Sequence, residues 1–308
     1  MNSISTHGMF ETDFPRCPIC STQDWKLLYS GPIRDGSFGH IQNAEVRSCS
    51  ACRVHRVSEN VCLNHQAYES ENYRLRLSQD HDVSRHYAIH DELARFALDI
   101  LWPESLRDKT IADIGCGGGS LLDHLRGLTG QIIAIDPDEN WRLSLKSRGY
   151  DWFPSIEQAL SKWKGQVDYC LSTQVIEHVE NPRDFIASIK GLLRPNGIAI
   201  VSTPNNHDIL MEMLPEEFPS FFYRTQHRWS FDADSLRLCA EFAEVKVLEV
   251  RHVHRYGIAN ALYWLKDKRP RGRTPFLPLD SNIDKLWQTW LETTGRADNL
   301  FLIFQRID

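Results

Sequence analysis

One stretch, TIADIGCGGGS from Thr110 to Ser120, constrains this chain more than any other. Thr110 to Ile114 reads as a buried strand running into a turn with glycine at 115, 117, 118 and 119, and a helix opens at Ser120. Glycines there permit positive φ and let the backbone come close to a ligand. A second apolar run, Gln131 to Ile135, ends in Asp136, twenty-three residues beyond Asp113. An acid closing the second strand is placed to accept hydrogen bonds from two ribose hydroxyls, the nucleotide-binding arrangement of a doubly wound α/β fold.

Two ligand classes compete for such a crevice. A dinucleotide needs its diphosphate at the helix N-terminus, but Asp113 sits just before the glycines and would repel it. An acid there suits a ligand with a positive charge and no phosphate. The run DIGCGGG, Asp113 to Gly119, followed by DPD from Asp136, resembles the first two motifs of class I S-adenosylmethionine-dependent methyltransferases. The resemblance implies a Rossmann-like α/β domain with a seven-stranded sheet and S-adenosylmethionine as cofactor. It places the cofactor against Asp113, Gly115, Cys116, Gly117, Gly119, Asp136, Pro137, Thr173 and Gln174, with Cys116 lining the loop and doing no chemistry.

The rest of the pattern agrees with alternating strands and helices. A helix is expected over Ser84–Leu101, stopped by Trp102-Pro103. The resemblance puts it over the methionine end of the cofactor. Helices then follow at Glu139–Arg148, Ser155–Trp163 and Arg183–Leu193, with strands at Asp151–Phe153, Val167–Ser172 and Ile198–Ser202. Alternation of this kind gives a parallel sheet with helices on both faces and a crevice at the strand C-terminal ends. After Thr203-Pro204-Asn205-Asn206 it breaks into an aromatic segment, 208–229, too long for a plain loop and expected to cover the crevice. Asp232 caps a helix to Glu241; Glu244–Val250 and Asn299–Gln305 read as an antiparallel pair at the sheet edge, with a helix at Ser281–Thr293.

At the other end, Cys17 and Cys20 form one C-x-x-C knuckle and Cys49 and Cys52 a second, with twenty-eight residues between the pairs. Four thiolates so spaced can hold one tetrahedral Zn²⁺, and a segment too small for a core gains folding energy from a metal. Two disulfides or a redox pair are the alternatives. With short strands expected at Trp25–Tyr29 and His40–Arg47, the pattern is that of a zinc ribbon, with His55 and His65 as rival ligands. The expected organisation is a ribbon over 1–60 and a methyltransferase domain over 61–308, with a lid insertion around 204–230 and a substrate-side insertion around 251–298. The other cysteines, Cys62, Cys116, Cys170 and Cys239, read as small buried residues.

Composition narrows the class of partner. A net charge of −6 and a pI near 6.1 give no footprint for a nucleic-acid backbone. No apolar run reaches membrane-spanning length, and the N-terminus lacks a basic and an apolar signal region. A cytoplasmic enzyme acting on a small-molecule acceptor is expected, with no indication of oligomeric state.

Methyl transfer to oxygen or carbon is an in-line displacement that needs the acceptor positioned and, for a hydroxyl or carbon acid, a base. His178, His207 and His227 fall on loops beyond the strand ends. The segment TQHRWSF, Thr225 to Phe231, resembles the E-H-Y-S-F-F stretch of zinc-ribbon sugar C-methyltransferases, in which the histidine is the base. That resemblance implies His227 as base and offers the connector tyrosines Tyr68 and Tyr73 to the acceptor. Tyr223 and Arg224, close in sequence to His227, are placed to orient it, and His178, in the VIEHV run after the fourth strand, is the substitute base. Two departures weaken the resemblance: Gln226 stands where those enzymes have an acid, and their further C-terminal domain has no counterpart here. A sugar, nucleotide sugar, glycan or secondary metabolite all fit as acceptor. The basic stretch KDKRPRGR, 266–273, is a solvated loop or a contact for an anionic acceptor. The other class to weigh is an rRNA or tRNA methyltransferase using the ribbon to recognise RNA.

Overall fold

The computed structural model describes residues 14–37, 39–64, 67–68, 81–101, 105–270 and 280–308. Tyr73, His65 and residues 271–273 of the basic stretch lie outside them. Two sheets organise the chain. The larger has seven strands: β4 (Thr110–Ile114), β5 (Gln131–Ile135), β6 (Asp151–Phe153), β7 (Val167–Thr173), β8 (Leu193–Pro204), β10 (Lys246–Val253) and β11 (Asn299–Gln305). Their order across the sheet is β10-β11-β8-β7-β4-β5-β6. The first five are parallel, and β11 runs against both β8 and β10, so the expected antiparallel edge is present.

These strands are apolar runs because helices cover both faces. Ile111, Ile133, Leu171 and Val201 are fully buried. On the way round lie α1 (Val83–Leu101), α2 (Ser120–Leu125), α3 (Arg142–Ser147), α4 (Ile156–Trp163) and α5 (Pro182–Leu192). Their starts follow side-chain capping: Ser155 accepts from the Gln158 N–H, and Asn181 from the N–H groups of Arg183 and Asp184 with Pro182 at the first turn. Two expectations shift. The helix expected from Glu139 begins as a 3₁₀ turn, Glu139–Trp141, before α3, because Asp138 caps it at Asn140. The turn expected at Pro195-Asn196-Gly197 is a bulge within β8: Leu193 already pairs with Val167, and Asn196 absorbs the slip at φ +63°.

The smaller sheet orders β1 (Trp25–Asp35), β2 (Gly39–Cys49), β3 (His55–Val57) and β9 (Trp229–Ser230). Its fourth strand comes from the expected lid, so the sheet crosses the boundary expected at residue 60. The junction is polar as well: Arg228 and Arg56 converge on Glu59, and Trp229 donates from Nε1 to the Val179 carbonyl at 2.8 Å. Between β8 and β9 the lid folds into α6 (Ile209–Met213) and α7 (Phe218–Phe222). After β9 come α8 (Ala233–Phe242), capped by Asp232, then α9 (Ile258–Asp267) and α10 (Ser281–Thr293). The sequence reading missed α9, which buries Ala259, Ala261, Tyr263 and Trp264 beside the lid. Among the described residues, no helix is long and apolar enough to cross a membrane.

Candidate active site

A cavity of about 670 Å³ opens where β4, β5, β7 and β8 end, the size of a small-molecule site. Asp113, Gly115, Cys116, Gly117, Asp136, Pro137, Thr173 and Gln174 all line it. The loop at its floor needs its glycines. Gly115, Gly117 and Gly119 have φ of +77°, +50° and +83°, and a Cβ on Gly115 would lie 2.4 Å from Val175 Cγ2. The loop is held from outside by Arg148, which donates to the Gly118 carbonyl at 2.6 Å and pairs with Asp123 at 2.8 Å. From above, His86 of α1 takes the Gly118 N–H at Nε2, 3.2 Å away. Together with His90 and Ala94 it forms a wall of the cavity; the helix was expected there, but the sequence reading named none of these residues.

The two expected cofactor acids differ in their partners. Asp136 accepts from the N–H groups of Gly117 at 2.7 Å and Asp138 at 3.0 Å, which fixes its carboxylate against the loop. Asp113 Oδ1 is buried with no hydrogen-bond partner, and burial, with Asp136 nearby, pushes its pKa up to about 8. Burial also raises the Cys116 thiol, so it stays protonated. Gln174 holds φ +58° and donates from Nε2 to Asn299 Oδ1 at 3.0 Å. Such a backbone conformation costs about 1–3 kcal/mol and is typical of sites that position a ligand.

Across the cavity, Glu177 and His178, consecutive after β7, meet His227 from the lid segment. Glu177, fully buried, follows β7; its Oε2 accepts from Thr203 Oγ1 at 3.0 Å and its Oε1 has no hydrogen-bond partner. His178 Nε2 and His227 Nε2 lie 3.9 and 4.0 Å from that oxygen, and the imidazoles meet edge to face at 4.8 Å. His178 Nδ1 is 2.7 Å from the Gln226 carbonyl, which can only accept, so Nδ1 carries the proton and Nε2 is bare. Tyr68 donates to the same carbonyl at 2.9 Å. Glu177, His178 and His227 offer ligand atoms within 4.8 Å of one another, so the cluster can share a proton or hold a cation.

Burial sets the charges. It pushes Glu177 up to about 8, pulls His178 down to about 4, and depresses His227 well below its ordinary range with help from His178 and Arg34. A pH dependence of stability follows. Asp113, Glu177 and Asp208 (raised by burial to about 7) bind protons more tightly folded than unfolded, so their contribution declines from the ordinary carboxylate range up to about pH 8. The depressed histidines, with His55 at about 4, act oppositely, but only below their unfolded value near 6.5. The ligand-free protein is therefore expected to lose stability between pH 6.5 and 8, by about 1–2 kcal/mol for each fully buried acid. Chemical denaturation at the two pH values checks this; equal midpoints would remove the buried protonated acids.

The expected acceptor residues separate. Arg224 lines the cavity and Tyr68 reaches it beside His178. Tyr223 does not line it: on this extended segment its side chain points opposite to Arg224, is buried against Tyr29, and its hydroxyl lies 3.1 Å from His55 Nδ1. That contact also occupies His55 away from the cysteines. His207 is exposed, near Asp232, and outside the cavity. The four cysteines come together: Cys17 Sγ lies 3.6 Å from Cys52 Sγ, Cys20 Sγ 3.4 Å from Cys49 Sγ, and all four are within 4.8 Å of one another. Zn–S bonds of about 2.3 Å set a tetrahedral edge near 3.8 Å, which this cluster fits.

A family model described as a methyltransferase domain matches residues 80–250, more than half of the chain. The chain belongs to that methyltransferase family. The fold is the class I α/β methyltransferase fold, and the seven-strand order agrees. The methyltransferase domain is 28% identical over 144 residues to a ubiquinone biosynthesis O-methyltransferase of Roseobacter denitrificans, covering 44% of this chain and 58% of that protein. With the enzyme of the same name from Caulobacter vibrioides it shares 36% identity over 123 residues, 37% of this chain and 48% of the other. The chain thus spans about half the length of the curated relatives it matches. Among solved structures, the 1,6-didemethyltoxoflavin-N1-methyltransferase of Burkholderia thailandensis, with bound 1,6-didemethyltoxoflavin and S-adenosylhomocysteine, aligns over 91% of this chain and all of that one at a TM-score of 0.50 and 13% identity, a likeness of fold.

Proposed function

We propose that the protein transfers a methyl group from S-adenosylmethionine to a small-molecule acceptor, using a base in the same cavity. The observation that carries this is Asp113 Oδ1, buried and unpartnered beside a glycine loop that Asp136 braces. A carboxyl group so placed suits the positively charged amino-acid end of the cofactor, whose charge favours its ionised form, and Asp136, closing β5 against the loop, suits the ribose hydroxyls. Gly115, Gly117, Pro137, Thr173 and Gln174 complete the lining. The cofactor, when bound, supplies an electrophilic methyl on a sulfonium.

What the chain's own residues do follows from their placement. Lid, ribbon and α1 enclose the crevice and exclude water, which strengthens its charge interactions. His227, neutral at physiological pH, takes the acceptor's proton, and the ionised fraction of Glu177, anchored by Thr203 and growing as pH rises toward 8, stabilises the resulting imidazolium. This places a carboxyl beside the histidine although Gln226 departs from the acidic position of the sugar enzymes. The relatives' name, O-methyltransferase, supports oxygen as the receiving atom. A sugar or glycan acceptor is supported by the ribbon and the TQHRWSF segment, and a structural Zn²⁺ by the clustered thiols.

Calorimetry tests the reading. S-adenosylmethionine or its demethylated product should bind, and Asp136→Ala should weaken it by about 1.5–3 kcal/mol, the loss of charge-assisted hydrogen bonds. Tight binding of NAD without affinity for S-adenosylmethionine would overturn it.

A further inference from the structure

Facing the cofactor floor, the cavity has a second polar wall made of donors left without a partner among the described residues. Arg34 is the penultimate residue of the ribbon strand β1, and Arg224 follows α7 in the lid. Their backbones form a parallel bridge: the Arg34 N–H donates to the Tyr223 carbonyl at 3.0 Å and the Thr225 N–H to the Arg34 carbonyl at 3.0 Å. Bridged residues send their side chains to the same side, and both line the cavity. Arg34 Nε and Nη2 and Arg224 Nε are buried without a hydrogen-bond partner. Gln226 lines the same wall, only 2% exposed, with both polar side-chain atoms unpartnered.

Buried donors left unmade cost about 1–3 kcal/mol each, more when charged, and native proteins keep few of them. Four such donor atoms on one wall therefore call for a ligand. Among the described residues neither Arg34 nor Arg224 pairs with a carboxylate, although Glu59, Asp298 and Asp123 each neutralise other arginines. Burial pulls Arg34 down to about 10, still cationic at neutral pH. Its guanidinium lies 3.9 Å above the Phe221 ring, which fixes the plane of the fork. Phe218 and Trp264 continue the apolar surface beside it.

We infer that the methyl acceptor is an anion, whose carboxylate or phosphate group is clamped by Arg34 and Arg224, with the Gln226 amide as a further donor and the Phe221 side packing its apolar body. Arginine forks match the two oxygens of either group. The ribbon thus supplies part of the acceptor site. The inference rests on methyl transfer in this cavity and adds the charge of the substrate.

The test uses the full chain saturated with S-adenosylhomocysteine, titrated calorimetrically with inorganic phosphate, with 3,4-dihydroxybenzoate, and with the neutral methyl ester of that acid. At least one of the two anions should bind, the acid at least about tenfold more tightly than its ester if the carboxylate is the recognised group. R34Q and R224Q should each weaken the bound anion at least about tenfold and leave the S-adenosylhomocysteine affinity within about twofold. Which anion binds tells carboxylate from phosphate. Absence of binding by both anions, ester binding as tight as the acid without phosphate binding, or anion affinity unmoved by either variant would each overturn the proposal. So would loss of S-adenosylhomocysteine affinity in R34Q, which would assign that guanidinium to the cofactor's own carboxylate. Should the wild type fail to bind S-adenosylhomocysteine at all, it is the methyltransferase reading that falls. The acid-against-ester comparison needs no variant and so does not depend on either substitution folding.

Discussion

His227→Ala is expected to lower kcat by about 10²–10⁴ while cofactor affinity stays unchanged, the usual worth of a positioned base. The size follows from the site. His227 lines the cavity, burial keeps it neutral, and Glu177 Oε1, which accepts no hydrogen bond among the described residues, lies 4.0 Å from its Nε2. The pair should also show itself in the pH profile. Glu177 holds its proton until about pH 8, so the ionised form that supports the imidazolium grows as pH rises through that value. kcat is expected to climb between pH 7 and 9 and to fall as pH drops through the apparent pKa of the pair, while Glu177→Gln should flatten that limb. Near-normal turnover by His227→Ala with a true acceptor would move the role to His178, or leave positioning alone to do the work.

The second large effect concerns the metal. Purified protein is expected to carry one zinc per chain, held by Cys17, Cys20, Cys49 and Cys52. Structural zinc is worth about 10–16 kcal/mol to small ribbons at neutral pH, so Cys20→Ser or a strong chelator should unfold the N-terminal sheet. Because Cys17, Ile19, Cys49 and Cys52 pack with Leu236, Cys239 and Ala240 of α8, the loss should also expose part of the main core. Near-ultraviolet circular dichroism and metal analysis of the same sample check both. A folded, reduced protein without zinc would refute it.

Much of the fold was legible because it rests on local signals. The strand β4, its glycine turn and Asp136 could be read from residue type alone, since glycine adopts those φ values at least cost and an apolar run suits a strand covered on both faces. The cysteine knuckles were equally plain. What sequence order hides is which distant segments meet. Glu177 gave no site signal in the sequence because its partners, Thr203 and His227, are 26 and 50 positions away. Arg34 carried no signal: its meaning comes from a bridge to Arg224 across the lid. Tyr223 misled for the same reason, since alternation along an extended segment cannot say which of two neighbours faces the cavity. The strand β9 is two residues long and has no periodicity to read.

That short strand has a consequence for how the protein is made. His55 pairs with Ser230, 175 positions later, and the two ends of the small sheet cannot meet until both have left the ribosome. At about 5–20 residues per second, the ribbon waits roughly 10–35 s for its last strand. During that interval β3 is an open edge, the kind of surface that recruits foreign strands. All four thiols, by contrast, are available as soon as Cys52 emerges. Early metal capture would then keep the nascent ribbon compact until the lid arrives, making zinc supply during synthesis a determinant of yield.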